Sequence, residues 1–393
     1  MKTAIVGGGA AGFFLGINLK EMRPDMEVSI LESGSRVLRK VLASGGGRCN
    51  CTNTFRDVKD LRNVYPRGHQ LMKRLMRTFG PHEAYEWFEL HGIPLRLQQD
   101  GRVFPASNDA ATIVSRFLKL ARELGIQVVN GSPVSSLSQL SSYDFVAVTT
   151  GGSPRAEGLR WLQEVGHEVV APVPSLFTLS IDDEALCALT GTAVEQVSVL
   201  IPGTKFHAEG ALLITHWGLS GPVILRLSSY AARHLNEQDY RSHLCINWAN
   251  ATEADAHREL VLLTGSHAKK QLTNVQPCAL PSRLWQYLAQ KALGERAALR
   301  WCDLGRKDMN RLTNILTADV LQVTGRSAFK EEFVTCGGIA LSSIDQNTLC
   351  SKAVSRLYFA GEVLDIDGIT GGYNFQAAWT TAHTAARSIA TCQ

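Results

Sequence analysis

Apolar and polar positions along this chain fall into three successive textures. Residues 3–6 are a short apolar run, followed by Gly7-Gly8-Gly9-Ala10-Ala11-Gly12 and an apolar stripe at helical spacing over 13–22. Pro24 and Asp25 punctuate that helix, and 27–31 alternates as a second strand closing on Glu32. An amphipathic helix is predicted over 110–124, a third strand over 126–129, and a fourth over 145–149 that runs into Gly151-Gly152. Strands alternating with helices predict an α/β domain with a doubly wound, Rossmann-like parallel sheet.

From about residue 172 the texture changes. Strand-like runs at 176–181, 197–201 and 211–214, separated by Gly, Pro and Asp, predict a small β-barrel or sandwich. Leu-rich segments at 254–263, 283–293 and 309–321 read as helices. Strand texture returns at 333–335 and 357–359, and 371–391 reads as one Ala-rich helix. The expected organisation is a nucleotide domain over 1–172 and 333–393. A β-barrel-like insert over 173–250 and 324–332 interrupts it and itself carries a helical domain over 251–323.

Gly7-x-Gly9-x-x-Gly12 lies between a predicted strand and a predicted helix, the context that makes this pattern specific. Gly7 permits the tight turn, Gly9 lets backbone approach a pyrophosphate, and Gly12 lets helix and strand pack closely. Phosphates then face free amides at the helix N-terminus, so Ala10 and Ala11 join the candidate contacts. Glu32, 20 residues beyond Gly12, is placed to accept hydrogen bonds from ribose hydroxyls. A strand at 357–359 leads into Gly361-Glu362, then Gly371-Gly372 and a long helix. This C-terminal segment resembles the second segment of two-dinucleotide-binding-domain flavoproteins, a resemblance that implies FAD rather than NAD. The helix's N-terminal dipole can stabilise an anionic reduced flavin. Three successive glycines, Gly45 to Gly47, free backbone amides for close approach to a cofactor. Beside them Arg48 can neutralise a phosphate, while Asn50 and Asn53 can bond flavin edges or hold the loop.

The run Lys40-Val41-Leu42-Ala43-Ser44-Gly45-Gly46-Gly47-Arg48-Cys49-Asn50-Cys51-Thr52-Asn53 resembles the signature of the aminoacetone-oxidase-like, or bile-acid-reductase-like, NAD(P)/FAD-dependent oxidoreductases. Gly101 to Pro105, Thr215 to Pro222, Val334 to Gly338 and Gly361 through Asn374 are similar to its later blocks, in order along the chain. Two departures stand outside the cofactor motifs: Ala382 in place of a glycine, and Leu349-Cys350 in place of Met-Glu. The resemblance implies a non-covalently bound FAD and a β-barrel insert containing a helical insert. Cofactor candidates are therefore Gly7, Gly9, Ala10, Ala11, Gly12, Glu32, Lys40, Ser44, Gly45, Gly46, Gly47, Arg48, Asn50, Gly151, Gly361, Glu362, Gly371, Gly372, Tyr373 and Asn374. No acid–base pair converges from the sequence; Arg48, His216 and Tyr373 are the catalytic candidates, with Trp217 beside His216 as a pocket residue.

Composition narrows the partners. A formal charge of +4, dispersed along the chain, argues against nucleic-acid or membrane binding. Nine scattered cysteines read as free thiols in a reducing cytoplasm, and Cys49-x-Cys51 has neither zinc spacing nor that of a flavoprotein dithiol. One complete Gly-x-Gly-x-x-Gly leaves no separate NAD domain, so any NAD(P)H reductant approaches the flavin through the substrate's pocket or through an improvised surface site. The leading expectation is an oxidoreductase of a small or moderately sized organic substrate. A flavin-dependent RNA-modifying or RNA-binding protein, and a flavin-bound protein without turnover, are the alternatives. The oligomeric state is left open.

Overall fold

A computed structural model describes residues 1–153, 156–326 and 334–392. The chain divides into two compact units, 1–174 with 334–393, and 175–333.

The first unit is built on a five-stranded parallel sheet ordered Leu357–Phe359, Phe145–Val148, Lys2–Val6, Glu27–Leu31, Gln127–Val129. The C-terminal strand thus joins the sheet beside the fourth strand of the N-terminal half. Helix Ala10–Met22 is buried continuously from Ala11 to Leu19, because it is sandwiched rather than surface-lying. On one side Gly16 faces Ile5, Ile30 and Ile126; on the other Phe14 meets Trp379 of helix Tyr373–Thr391 at 5.1 Å. That closing helix is rich in Ala and Thr, whose small side chains permit the close approach, and its hydroxyls back-bond to its own carbonyls. A three-stranded antiparallel sheet (Thr52–Asn53, Arg102–Pro105, Leu95–Leu97) and helices His69–Leu75 and Pro81–Leu90 complete this unit and were not anticipated. Val334–Ile339 pairs with Val169–Ser175. Of the expected strand over 333–335, position 333 lies outside the described residues.

The second unit holds a closed six-stranded barrel in the order Ala193–Leu200, His207–Thr215, Gly218–Ser220, Leu179–Ile181, Asp319–Arg326, Ser242–Asn247. Helices Glu253–Ser266, Ser282–Leu293 and Arg306–Thr317 follow the expected helical texture. One boundary differs. The helix expected over 309–321 stops at Thr317, and Asp319–Arg326 is a barrel strand pairing with Ser242–Asn247 and with Leu179–Ile181. Val320 and Leu321 continue a plausible helical spacing in the sequence, but residues 319–324 alternate buried and exposed, the period of a strand. Barrel residues 327–332 of the expected boundary lie outside the described residues. Helices and barrel share one apolar core: Val197, Ile214 and Leu219 belong to the same cluster as Leu260, Trp285, Leu288, Leu312 and Leu316. No helix among the described residues is long and apolar enough to cross a membrane.

Candidate functional site

The first turn is fixed by backbone sterics. Gly7 has φ 113°, and a Cβ there would stand 2.5 Å from the Thr149 carbonyl oxygen. Thr149 Oγ1 donates to Gly7 O at 2.9 Å, clamping the turn to the fourth strand. A Cβ on Gly12 would lie 2.1 Å from Gly7 O, so only glycine lets the helix close on the strand. Gly9 is different in kind: no protein atom stands within 4 Å of its missing Cβ, and the same holds for Gly46 and Gly47. Glu32 accepts from Gly8 N at 2.8 Å and Gly34 N at 2.7 Å. A carboxylate offers about four lone-pair sites, so capacity remains for further donors.

The segment expected as an open loop begins as helix. Arg39–Gly47 keeps helical geometry until Ser44 (ψ 153°), after which Gly45 and Gly46 turn left-handed at φ 58° and 68°. Ser44 Oγ donates back to Val41 O at 2.8 Å and its carbonyl accepts from Cys49 N at 3.1 Å, closing the break. Arg48 Nε donates to Gly45 O at 3.2 Å, and its guanidinium sits 4.6 Å from the Phe104 ring centroid. Nε and the ring face hold the group, while its terminal amino groups have no protein partner among the described residues.

The chain after this segment is stitched to the N-terminus of the closing helix. Asn50, with its amide turned so that each group finds a partner, donates to Thr52 O (2.9 Å) and Val103 O (3.2 Å) and accepts from Gly372 N (3.0 Å). Asn53 Nδ2 donates to Gly371 O at 3.0 Å, and Trp379 Nε1 to Cys51 O at 2.8 Å. Gly372 (φ 91°) caps the helix where a Cβ would meet Thr52 O at 2.4 Å. Asn374 exchanges two 2.8 Å bonds with the Gly368 backbone. The amides of Asn50 and Asn374 are thus spent on the framework, which places the helix terminus.

Glu362 ties three segments together. It accepts from Lys40 Nζ at 2.9 Å and Thr335 N at 2.8 Å, and Gly152 passes where a Cβ would meet its carboxylate at 2.6 Å. Gly151 lies slightly farther from the same group. Gly361 (φ 78°) leaves room for Ala11 of the first helix turn, whose methyl would stand 2.8 Å from a Cβ there. The Gly-rich turn, the 39–48 segment and the C-terminal motif therefore converge on one cradle within the first unit.

Tyr373 is buried, its ring 4.9 Å from Phe55 and 6.1 Å from Tyr65, and Tyr65 Oη donates to its carbonyl. Burial pushes the Tyr65 phenol well up. His216 and Trp217 belong to the other unit, as the two-residue turn joining strands His207–Thr215 and Gly218–Ser220; Trp217 Nε1 donates to Thr178 Oγ1. All nine cysteines are free. Cys51 donates to Cys49 Sγ at 4.0 Å, and that hydrogen bond, with burial, holds its thiol well above the usual range. Sequence reasoning did not single out Thr149, Thr335 and Phe104, which buttress the cradle; Thr149 stands just before Gly151, and Phe104 and Thr335 lie in the blocks that resemble the family.

This arrangement offers unobstructed backbone, a helix N-terminus and, after the second strand, an acid with acceptor capacity to spare, features that suit a bound dinucleotide. Comparison with known proteins bears on the same point. The family described as HI0933-like protein Rossmann domain matches residues 1–388. The chain is 26% identical over 417 residues to the 3-dehydro-bile acid delta(4,6)-reductase of Clostridium scindens, covering 99% of each. It is 27% identical over 406 residues to the ribosomal RNA dihydrouridine synthase of Escherichia coli, covering 98% of this chain and 97% of that one. In fold it is similar to the 3-ketosteroid delta1-dehydrogenase of Sterolibacterium denitrificans (TM-score 0.50, 12% identity, 100% and 99% coverage). The chain belongs to the HI0933-like Rossmann-domain family and is an FAD-dependent oxidoreductase.

Proposed function

We propose that this enzyme saturates a carbon–carbon double bond conjugated to a carbonyl, with FAD held non-covalently in the cradle and NAD(P)H as reductant. One observation carries the reaction type. Two relatives aligned with the chain nearly end to end are named for reducing such bonds in unrelated molecules, a 3-dehydro-Δ4,6 bile acid and the uracil ring of ribosomal RNA. The shared feature is the conjugated double bond, whose β-carbon accepts hydride while the carbonyl takes up the developing charge.

The cradle fits the cofactor on its own geometry, because Gly9, Gly46 and Gly47 keep clear the space their side chains would fill. When bound, FAD supplies the hydride. In this reading Gly7 and Gly12 shape the turn, and the amides of Gly9, Ala10 and Ala11 meet the pyrophosphate. Glu32 takes ribose hydroxyls. Gly45 to Gly47 give backbone contact, and Ser44 starts that turn. Gly371, Gly372 and Tyr373 open the closing helix, whose N-terminal dipole stabilises negative charge on a reduced flavin. Lys40 and Glu362, with Gly151 and Gly361, brace the wall, as Asn50 and Asn374 brace the helix terminus. Arg48 meets an anionic group with its free amino groups.

The second reading makes ribosomal RNA uridine the substrate, favoured by the name of the Escherichia coli relative. One experiment addresses both. The flavin released by heat is identified by chromatography, and the holoprotein is reduced anaerobically with NADH or NADPH. It is then mixed with a panel of conjugated enones, a 3-oxo-4,6-diene steroid acid among them, or with ribosomal RNA. Reoxidation of the flavin together with a substrate mass gain of two hydrogens supports the proposal and identifies the substrate class. Release of FMN, or a reduced flavin indifferent to every conjugated double bond offered, overturns it.

A further inference from the structure

The second unit carries an open surface cavity of about 540 Å³ at one side of the barrel, outside every motif considered above. Its wall is formed by the turn Pro202-Gly203-Thr204, by His234 and Gln238 at the end of helix Ala232–Glu237, and by Arg241 and His243 entering strand Ser242–Asn247. No lining residue is acidic; Glu237 and Asp239 flank Gln238 in sequence but do not line it. Gly203 adopts φ 75° with nothing within 4 Å of its missing Cβ, so this turn presents bare backbone to the cavity. The Arg241 and His243 side chains have no hydrogen-bond or ionic partner among the described residues. Among the described residues the His234 ring makes a tilted contact with Phe206, 5.7 Å between centroids, and no side-chain hydrogen bond.

Unengaged donors with no acid among the lining residues make a receptor for an oxyanion. Arg241 contributes a permanent charge and a planar fork matched to two phosphate oxygens. The imidazoles contribute ring N–H donors, Gln238 a neutral amide, and the Gly203 turn an unobstructed approach. Ile201, Pro202 and Val320 supply the apolar part of the wall.

We propose that this cavity binds the phosphate group of a nucleotide. Two nucleotide phosphates follow from the reductase reading on which the ligand's identity rests: the 2′-phosphate of NADPH, and the backbone of an RNA substrate. The oxyanion chemistry itself stands independently of that reading.

The test uses intact holoprotein, with Arg241→Gln and His243→Gln as variants; both side chains are exposed, so melting temperatures are expected to match wild type. Binding of inorganic pyrophosphate, NADPH, NADH and a fluorescent single-stranded RNA oligomer is measured at fixed ionic strength. Pyrophosphate binding weakened about tenfold by Arg241→Gln establishes the oxyanion site whatever the flavin reacts with. A preference for NADPH over NADH that disappears in Arg241→Gln assigns it to the reductant. RNA affinity that falls similarly, with both nicotinamide nucleotides unaffected, assigns it to the substrate backbone. Affinities for all four ligands unchanged in both variants overturn the proposal. Failure of the reductase reading shows separately, as pyrophosphate binding retained in a protein whose flavin no nicotinamide nucleotide reduces.

Discussion

Gly9→Val and Gly12→Ala should fail in opposite ways, and the contrast tests the cradle directly. Gly9 precedes the first helix at φ −90° and ψ −166°, extended backbone that valine adopts freely, and its Cβ direction is clear of protein for 4 Å. Losing glycine at a helix N-cap costs about 0.5–1 kcal/mol. The lower conformational entropy of the unfolded chain returns about 0.4–1 kcal/mol. Apoprotein stability should therefore change by less than about 1 kcal/mol, while the branched side chain occupies the space assigned to pyrophosphate. At Gly12 the Cβ would lie 2.1 Å from Gly7 O, and backbone must retreat by nearly 1 Å to relieve the contact. Such overpacking costs up to about 3 kcal/mol, of which about 1 kcal/mol returns through alanine's helix propensity. A net loss of about 2 kcal/mol is a fall of roughly 4–8 °C for a unit of this size. The assay pairs flavin occupancy, from the absorbance of bound flavin relative to protein, with thermal unfolding of the apoprotein. Gly9→Val should melt like wild type and emerge colourless. Full flavin occupancy in Gly9→Val, or equal melting losses in the two variants, would refute the reasoning.

Arg48→Ala should slow flavin reduction by NAD(P)H more than it lowers flavin occupancy, measured by stopped flow and absorbance on one preparation; lost flavin with unchanged reduction would make Arg48 a cofactor clamp instead. Glu362→Ala should destabilise the apoprotein by about 1–3 kcal/mol, since it strands the Thr335 amide. Lys40→Ala should cost less than about 1 kcal/mol, because Lys40 is 55% exposed in that ion pair; denaturant titration compares the two. Burial lowers the His383 pKa to about 4, and its Nδ1 has no hydrogen-bond partner among the described residues. The unfolded chain, with an ordinary histidine near 6.5, then binds more protons between these values. Stability present above pH 6.5 should fall as pH drops toward 4, with His167, also depressed by burial, acting in the same direction. His383→Phe should flatten that profile in a melting series; an unchanged slope would exclude His383 as a source. Deleting 251–323 should give aggregated protein, because it removes helices that share the barrel core and part of strand Asp319–Arg326. Replacing 175–333 with a short linker should leave a soluble unit that binds FAD, read by flavin copurification.

What the sequence by itself determined were the features carried by local patterning and by glycine. The parallel sheet follows from apolar runs alternating with helical stripes. The Gly7–Gly12 turn follows from residues that sterics make obligatory, and the closing helix from its small-residue run. Those signals are local, so no tertiary knowledge is needed to read them. Strand Asp319–Arg326 is the opposite case: Val320 and Leu321 suit either period, and only pairing with Ser242–Asn247 makes the segment β. Tertiary structure also decided which polar groups of the signature are spent. Asn50 and Asn374 look like ligands in sequence, but their amides bond the backbone and fix the helix terminus, whereas the terminal amino groups of Arg48 have no partner among the described residues. Lys40 and Glu362, 322 positions apart, become an ion pair only when the C-terminal strand joins the N-terminal sheet. The barrel cavity has no linear signature, because its donors come from a turn, a helix end and a strand start that meet only when the barrel closes.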